Sequence, residues 1–459
     1  MKPPAAALAC LLAGGLLVSC QSAPSARPVP ERPNLVILFA DDLGYGDLAC
    51  YGHPVIRTPN LDRMAAEGLR FTQFYSASPA CTASRYSLLT GRLPARSGFA
   101  WVLGPKSVRG LHPEERTLAE ELRQAGYATA AFGKWHLGRP ERFLPLQHGF
   151  DEYLGLPYSN DMRPPKWESM PLIDGDEVVE LDPDQTQLTR LYTERALDFI
   201  ERQQDRPFLL YLPYAMPHVP LMPGAAFAGR SPRGLYGDVV EEIDWSVGAI
   251  LGRLRQLGID RRTLVVFTSD NGPWIIQGEE GGSAGLLRDG KGSTWEGGVR
   301  EPGIFWWPGA IAAGGTERSV ASTLDLYPTA LRLAGRPLPP GETRDGLALD
   351  GRDLLPVLLG EAPQQRDPLY FHGPGHVLHA VREGPWKLHV VTSSQTGLDY
   401  FDGKLPLLFH LERDPSEEHD LAEEYPEVVA RLRRLIDEHQ AAVAAEGSRF
   451  EPGEAAGGR

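Results

Sequence analysis

Cysteine is scarce in this chain. Four occur in 459 residues, too few for the dense disulfide framework of a small secreted scaffold. Two of them, Cys10 and Cys20, fall in an N-terminal segment with the marks of a leader, which leaves Cys50 and Cys81 for the folded part. A bridge between those two stays open in an oxidising compartment. No Cys/His cluster has zinc-like spacing. No long basic stretch offsets a net charge of −14, which argues against a nucleic-acid partner; a locally basic pocket can still hold an anion. There is no internal repeat. The apolar run 5–18 is too short for a comfortable membrane span.

What is present describes a large globular protein. Hydrophobic residues make up 42% and charged residues 23%, which is ordinary for a packed domain, and the length suits two domains. Fifty glycines and 41 prolines predict many loops. Lys2 and the run 5–18 read as a signal peptide. It ends Leu17-Val18-Ser19-Cys20, which resembles the lipobox of bacterial lipoproteins. The expectation is a leader over 1–19, a lipid anchor at Cys20 and a Ser/Pro/Ala-rich tether over 20–33. An ordinary secretory leader is the alternative. Either way the protein is exported, and with the anchor it is a periplasmic or cell-envelope lipoprotein.

Apolar runs at 34–40 and 263–269 read as buried strands, the first buried on both faces, and 127–132 and 207–212 also read as strands. Between them, 57–68 reads as a loop and then a helix ending at glycine, and 118–125, 191–202 and 238–257 read as helices, two of them closed by glycine. The alternation predicts an α/β domain over 34–365 around a mostly parallel sheet. From 366 to 450, short strands at 369–371, 379–382 and 386–391 and a helix over 426–445 predict a small antiparallel sheet with one helix. The tail 451–459 reads as disordered.

Chemistry gathers at five places. Cys81-Thr82-Ala83-Ser84-Arg85 opens a helix that stops at Gly91. A helix start favours an anion near Cys81, and Arg85 lies one turn on, on the same face. Two buried strands end in Asp41-Asp42 and Asp270-Asn271. Oxygen donors beyond strand ends suit a hard divalent cation, calcium rather than zinc. Gly133-Lys134-Trp135-His136-Leu137-Gly138 follows a strand, so Lys134 and His136, two apart in an extended segment, point into one site. His218 sits in Met216-Pro217-His218-Val219-Pro220, just past another strand. Lys291 is framed by Gly290 and Gly292, which lets backbone approach a ligand. Trp101, Tyr158, Trp167 and Trp274 are open between a sugar subsite and the core.

The pentapeptide at Cys81 resembles the C-x-(P/A)-S-R signature of the type I sulfatases. Gly133 to Gly138 is similar to their G-K-W-H-x-G string, and Gly290 to Pro302 to their G-K-x-x-x-x-E-G-G-x-R-x-P string. Gly285-Leu286-Leu287-Arg288 and Asp325-Leu326-Tyr327-Pro328-Thr329 extend the likeness towards the arylsulfatase A branch. The matches run in family order from 34 to about 351. The resemblance implies an alkaline-phosphatase-like α/β sandwich, with the small C-terminal sheet and its helix beside it. It implies hydrolysis of aryl or carbohydrate sulfates. Cys81 would be oxidised to formylglycine (3-oxoalanine), whose hydrate is the nucleophile. Asp41, Asp42, Asp270 and Asn271 would hold Ca2+, with an oxygen of the modified Cys81 in the shell. Arg85 would stabilise the attacking oxygen, and His136 would take a proton as sulfate leaves. Lys134, His218 and Lys291 would bind the sulfate, with Ser159 matching a serine near it.

The implied partners are a sulfated small molecule or glycan and a maturation enzyme, either formylglycine-generating or anaerobic. Ala83 stands where many members have proline, which bears on which maturation enzyme acts. A phosphatase or phosphodiesterase on the same fold is the competing enzyme class. A sulfated-glycan-binding lipoprotein with unmodified Cys81 is the non-catalytic alternative.

Overall fold

The run Asn34–Ala40 forms the central strand of a large sheet, and every one of its residues is buried. Its side chains alternate between two cores: Val36, Leu38 and Ala40 enter one and Leu35, Ile37 and Phe39 the other. That is why the run shows no polar alternation. Each fully buried Leu or Ile contributes roughly 1.5–3 kcal/mol. The computed structural model describes residue 1 and residues 30–447, apart from 100, 340, 344 and 364–367. The leader over 1–19, the anchor at Cys20, most of the tether, the 365/366 boundary and the tail 451–459 lie outside the described residues.

The strands of the large sheet are β1 (Asn34–Ala40), β2 (Leu69–Tyr75), β3 (Ala128–Phe132), β4 (Glu152–Gly155), β5 (Pro171–Asp174), β6 (Glu177–Leu181), β7 (Phe208–Pro213), β8 (Thr263–Ser269), β9 (Arg300–Trp306), β10 (Gly315–Glu317) and β11 (Ala321–Ser322). Their order is β10-β2-β9-β8-β1-β7-β3-β4-β5-β6, with β11 also beside β2. The central block β8-β1-β7-β3-β4 is parallel. On one side β9 runs antiparallel to β8, and on the other β5 runs antiparallel to β4. Helices Pro59–Glu67, Leu188–Arg202 and Leu235–Gln256 pack on one face, and Cys81–Thr90, Leu118–Gln124 and Leu326–Leu333 on the other. The architecture is the predicted α/β sandwich with a mixed, mostly parallel sheet.

The helices begin and end within a few residues of the predicted bounds. Leu188–Arg202 and Leu235–Gln256 each start about one turn earlier than their apolar pattern signals. The C-terminal sheet comprises β12 (Leu369–His372), β13 (Leu378–Glu383), β14 (Trp386–His389) and β15 (Leu407–His410), all antiparallel. Helix Pro426–Glu446 covers one face through Val428, Leu432 and Ile436. The other face meets the large domain at Tyr75 and Val299, against Phe371 and Ala380. A buried ion network crosses the same junction. Lys387 Nζ donates to Glu296 Oε1 at 2.9 Å and lies 3.1 Å from Glu417 Oε1, and the Tyr75 hydroxyl donates to Glu296 Oε2 at 2.6 Å. No described helix is long and apolar enough to cross a membrane.

Candidate active site

The carboxyl ends of β1 and β8 lie side by side, since Ala40 pairs with Ser269. The residues that follow, Asp41-Asp42 and Asp270-Asn271, therefore meet without any long loop. Their backbones are tied: Asp270 N donates to Ala40 O at 3.1 Å and Asp42 N to Asp270 Oδ1 at 3.1 Å. Asp42 has a φ of 64°, a left-handed conformation costly for a non-glycine residue and concentrated at functional sites.

Cys81 is the first residue of helix Cys81–Thr90, which is buried on every side. Small residues at 82–84 let it sit against the sheet, and Gly91, at φ 71°, ends it with its N–H on Ser87 O. Asp41, Cys81 and Asp270 bring one oxygen or sulfur atom each within 4.8 Å of the others. The thiol sulfur of Cys81 stands where the carbonyl or hydroxyl oxygens of a matured residue would sit. Arg85, one turn on, spans the group: its NH2 donates to Asp270 Oδ2 at 2.8 Å and its NH1 to Lys134 O at 2.8 Å.

The cations stand opposite. Lys134 Nζ donates to Asp41 Oδ2 at 2.5 Å and to Ser159 Oγ at 3.2 Å. Lys291 Nζ donates to Asp42 Oδ2 at 2.7 Å and lies over the Trp274 ring at 4.5 Å. His218, between two cis X-Pro bonds, donates from Nδ1 to its neighbour Val219 O at 2.6 Å. Its Nε2 is left 3.4 Å from Ser159 Oγ and 3.6 Å from Asp42 Oδ2. All eleven residues singled out in the sequence thus share one region. Ten are fully buried, and only Lys291 has a partly exposed side chain, at 12%.

Burial shapes the protonation of the group. It would raise both carboxylates, but Lys134 and Arg85 hold Asp41 far below the usual range. Asp270 is the raised member, pushed up to about 7 by burial and by the charge on Asp41, as two carboxylates in one site demand. Burial also raises the Cys81 thiol, against the pull of Lys134 and Lys291. Burial, with Lys134 and Arg85, pushes His136 well below its ordinary value and keeps it neutral. Lys291 is held protonated by Asp42 despite burial.

A cation fits the donor set. Asp41 Oδ1 and Asn271 Oδ1 are buried without a hydrogen-bond partner, and the converging donors are two carboxylate oxygens and the sulfur of Cys81, with no imidazole among them. Asn271 meanwhile donates its amide to Asp42 Oδ1 at 2.8 Å.

Three readings need amendment. The segment after β3 is not extended at His136, whose φ is 61°. Lys134 and His136 reach the same region through that left-handed residue and not through strand alternation. His136 Nε2 donates to Leu103 O at 2.9 Å, and Nδ1 carries the lone pair without a partner. No motif signals the Leu103 contact, because it comes from a loop 33 residues upstream. Second, Cys50 and Cys81 are free thiols, so the bridge left open between them is not formed. Cys50 NH is tied to Asp62 and its thiol is pushed up to about 12 by burial. Third, among the aromatic residues, Tyr158 belongs to the core, whereas Trp274 packs against His218 at 5.3 Å between ring centroids.

Comparison with known proteins agrees with this geometry. A sulfatase family model matches residues 33–336, and a model of the C-terminal region of aryl-sulfatase matches 364–456. Canine N-acetylgalactosamine-6-sulfatase (Canis lupus familiaris) is 42% identical over 96% of this chain and 91% of its own. Human arylsulfatase A (Homo sapiens) is 44% identical, covering 92% and 89%. Among solved structures, the PsFucS1 sulfatase from Pseudoalteromonas sp. superposes with a TM-score of 0.81 at 30% identity, covering 90% and 91%. The family generally works through formylglycine and a divalent metal. With a donor cluster that fits a cation and relatives matched along nearly their whole length, the chain belongs to the sulfatase family, near its arylsulfatase A branch, and is a sulfuric ester hydrolase.

Proposed function

We propose that the protein hydrolyses aryl or carbohydrate sulfate monoesters using formylglycine at position 81 and a calcium ion. The observation that carries this is the convergence of Asp41, Cys81 and Asp270 within 4.8 Å, ringed by the cations Arg85, Lys134 and Lys291. A sulfate ester resists attack because its oxygens are anionic, and the site must cancel that charge while holding an attacking oxygen in line with sulfur. Calcium, held by Asp41, Asp42, Asp270 and Asn271, would supply Lewis-acid charge neutralisation. The hydrated aldehyde at residue 81 would supply one hydroxyl to attack and a second through which sulfate is released, a route that Ser or Cys lacks.

This chain's own residues do the rest. Arg85, fixed by Asp270 and the Lys134 carbonyl, stabilises negative charge at residue 81. Lys134, Lys291 and His218, with Ser159 between Lys134 and His218, clamp the sulfate oxygens. Asp270 takes the proton of the attacking hydroxyl, and Lys291 or His218 gives one to the departing alcohol or phenol. His136, neutral and with a free Nδ1, takes the last proton. In this reading a catalytic unit spans 34–365 and a C-terminal unit spans 366–450. Export and a lipid anchor at Cys20 complete it, supported by the lipobox-like Leu17-Val18-Ser19-Cys20.

The experiment is sulfate release from a panel of aryl and carbohydrate sulfates, with and without a chelator. Turnover of at least one class that is lost on chelation and restored by calcium is expected. Full turnover in chelator would refute the metal, and none on any sulfate would refute the activity.

A further inference from the structure

Lys291 stands on a backbone with little conformational restraint of its own. It lies between two glycines, Gly292 at φ 84°, and Asp289 just before them is also left-handed at φ 62°. A lysine on such a segment clamps an anion only if something else fixes its main chain. The large domain supplies part of the restraint: Lys291 N donates to Pro273 O at 2.9 Å and Gly292 N to Pro79 O at 2.8 Å. The Lys291 carbonyl is taken by a residue about a hundred positions away. Gln395, in a loop after β14 of the C-terminal sheet, donates from Nε2 to Lys291 O at 2.8 Å and to Pro273 O at 3.3 Å. Its Oε1 accepts from Ile276 N at 3.0 Å, and its backbone N donates to Asp289 Oδ1 at 3.1 Å.

One half-buried amide therefore stitches together two segments of the site. The first leads from Asp270-Asn271 to Trp274, and the second carries Lys291. Tyr400, from the same loop, adds a hydrogen bond from its hydroxyl to Asp289 Oδ2 at 3.0 Å. The Gln395 side chain reaches neither the donor cluster nor the cationic head of Lys291; its bonds go to backbone.

We propose that Gln395 is a positioning residue, through which the C-terminal unit sets Lys291 for sulfate binding. This rests on the reading of Lys291 as a sulfate-binding side chain. A misplaced clamp and a merely loosened fold leave different kinetic traces. Loosening lowers the active fraction and so kcat, with affinity unchanged. Misplacement weakens anion binding in the enzyme that remains folded.

The test measures KM for an aryl sulfate and Ki for inorganic sulfate in the full-length, matured enzyme. Gln395→Ala should raise both by about tenfold, the scale of one lost polar tie to a binding group. Gln395→Glu keeps the acceptor for Ile276 N and loses both donors, so it should behave the same way. In a Lys291→Ala background, Gln395→Ala should add nothing further, since the two act through one side chain. The proposal is overturned if Lys291→Ala raises KM and Ki while Gln395→Ala leaves them unchanged, or lowers kcat alone. If Lys291→Ala itself leaves both constants unchanged, the reading of Lys291 falls, and this inference with it.

Discussion

A single hydroxyl at position 81 and a geminal pair there differ in one respect that turnover exposes. Cys81→Ser offers an attacking oxygen in the same buried place but no second hydroxyl through which the sulfuryl group can leave. The expected outcome is one sulfation per molecule followed by arrest, seen as a stoichiometric burst and a mass gain on the residue 81 peptide. Sustained turnover would refute release through the second hydroxyl. Arg85 permits a second test. Its planar fork serves Asp270 and the Lys134 carbonyl at once, and a lysine presents no such fork. Arg85→Lys should lower kcat by roughly 100-fold, the scale of losing one preorganised charge-stabilising donor. Steady-state kinetics on one aryl sulfate check it. At this scale the sequence was highly legible. The Asp-Asp and Asp-Asn pairs announce themselves because each directly follows a strand buried from end to end. His136 was legible as a residue but not as a geometry, since nothing in Gly133 to Gly138 signals a left-handed histidine. Gln395 was illegible, because the partners of its side chain lie over a hundred residues upstream and are backbone carbonyl and amide groups with no side-chain identity.

The helix that Cys81 opens shows how an element holds a residue buried on every side. Cys81–Thr90 hides all ten of its residues, so its orientation is fixed by packing and not by an amphipathic stripe. Its stop at Gly91 is required, because a Cβ there would lie 2.8 Å from Leu349 and 2.9 Å from Tyr327 on a backbone at φ 71°. Gly91→Ala should cost about 1–2 kcal/mol, combining left-handed strain with close contact. Thermal or denaturant unfolding measures it, and an unchanged midpoint would contradict the role given to this cap. Element by element, legibility followed burial. β1, β3, β7 and β8 were readable because central parallel strands are continuous apolar runs. β9 hides inside the motif around Glu296 to Pro302, where Pro302 and Gly303 break the strand signal. The short outer strands β4, β5, β6, β10 and β11 have too few residues for a period to show, and β6 is exposed throughout.

The whole molecule is bound together at the junction of the two sheets. Lys387 sits with Glu296 and Glu417 in a fully buried network, which also fixes the start of the segment leading to Arg300 and β9. Lys387→Met would remove the cation shared by Glu296 and Glu417, leaving Glu296 to Arg300 and Glu417 to His389, and should destabilise the protein by about 3–5 kcal/mol. Chemical denaturation checks this; a shift below 1 kcal/mol, the surface ion-pair range, would contradict it. Metal removal is a second test at this scale. A ligand that binds only the folded state stabilises it, so chelation should lower the unfolding temperature and calcium should restore it. The formal charge of −14 gave no hint of a cation-lined pocket, because those cations are buried and locally paired.

The most direct measurement is the mass of the peptide spanning residue 81, taken from enzyme whose turnover has been measured in the same sample. An aldehyde or its hydrate in place of the thiol, in proportion to activity across preparations, is the expected result. Full activity in protein whose residue 81 is wholly cysteine would contradict it.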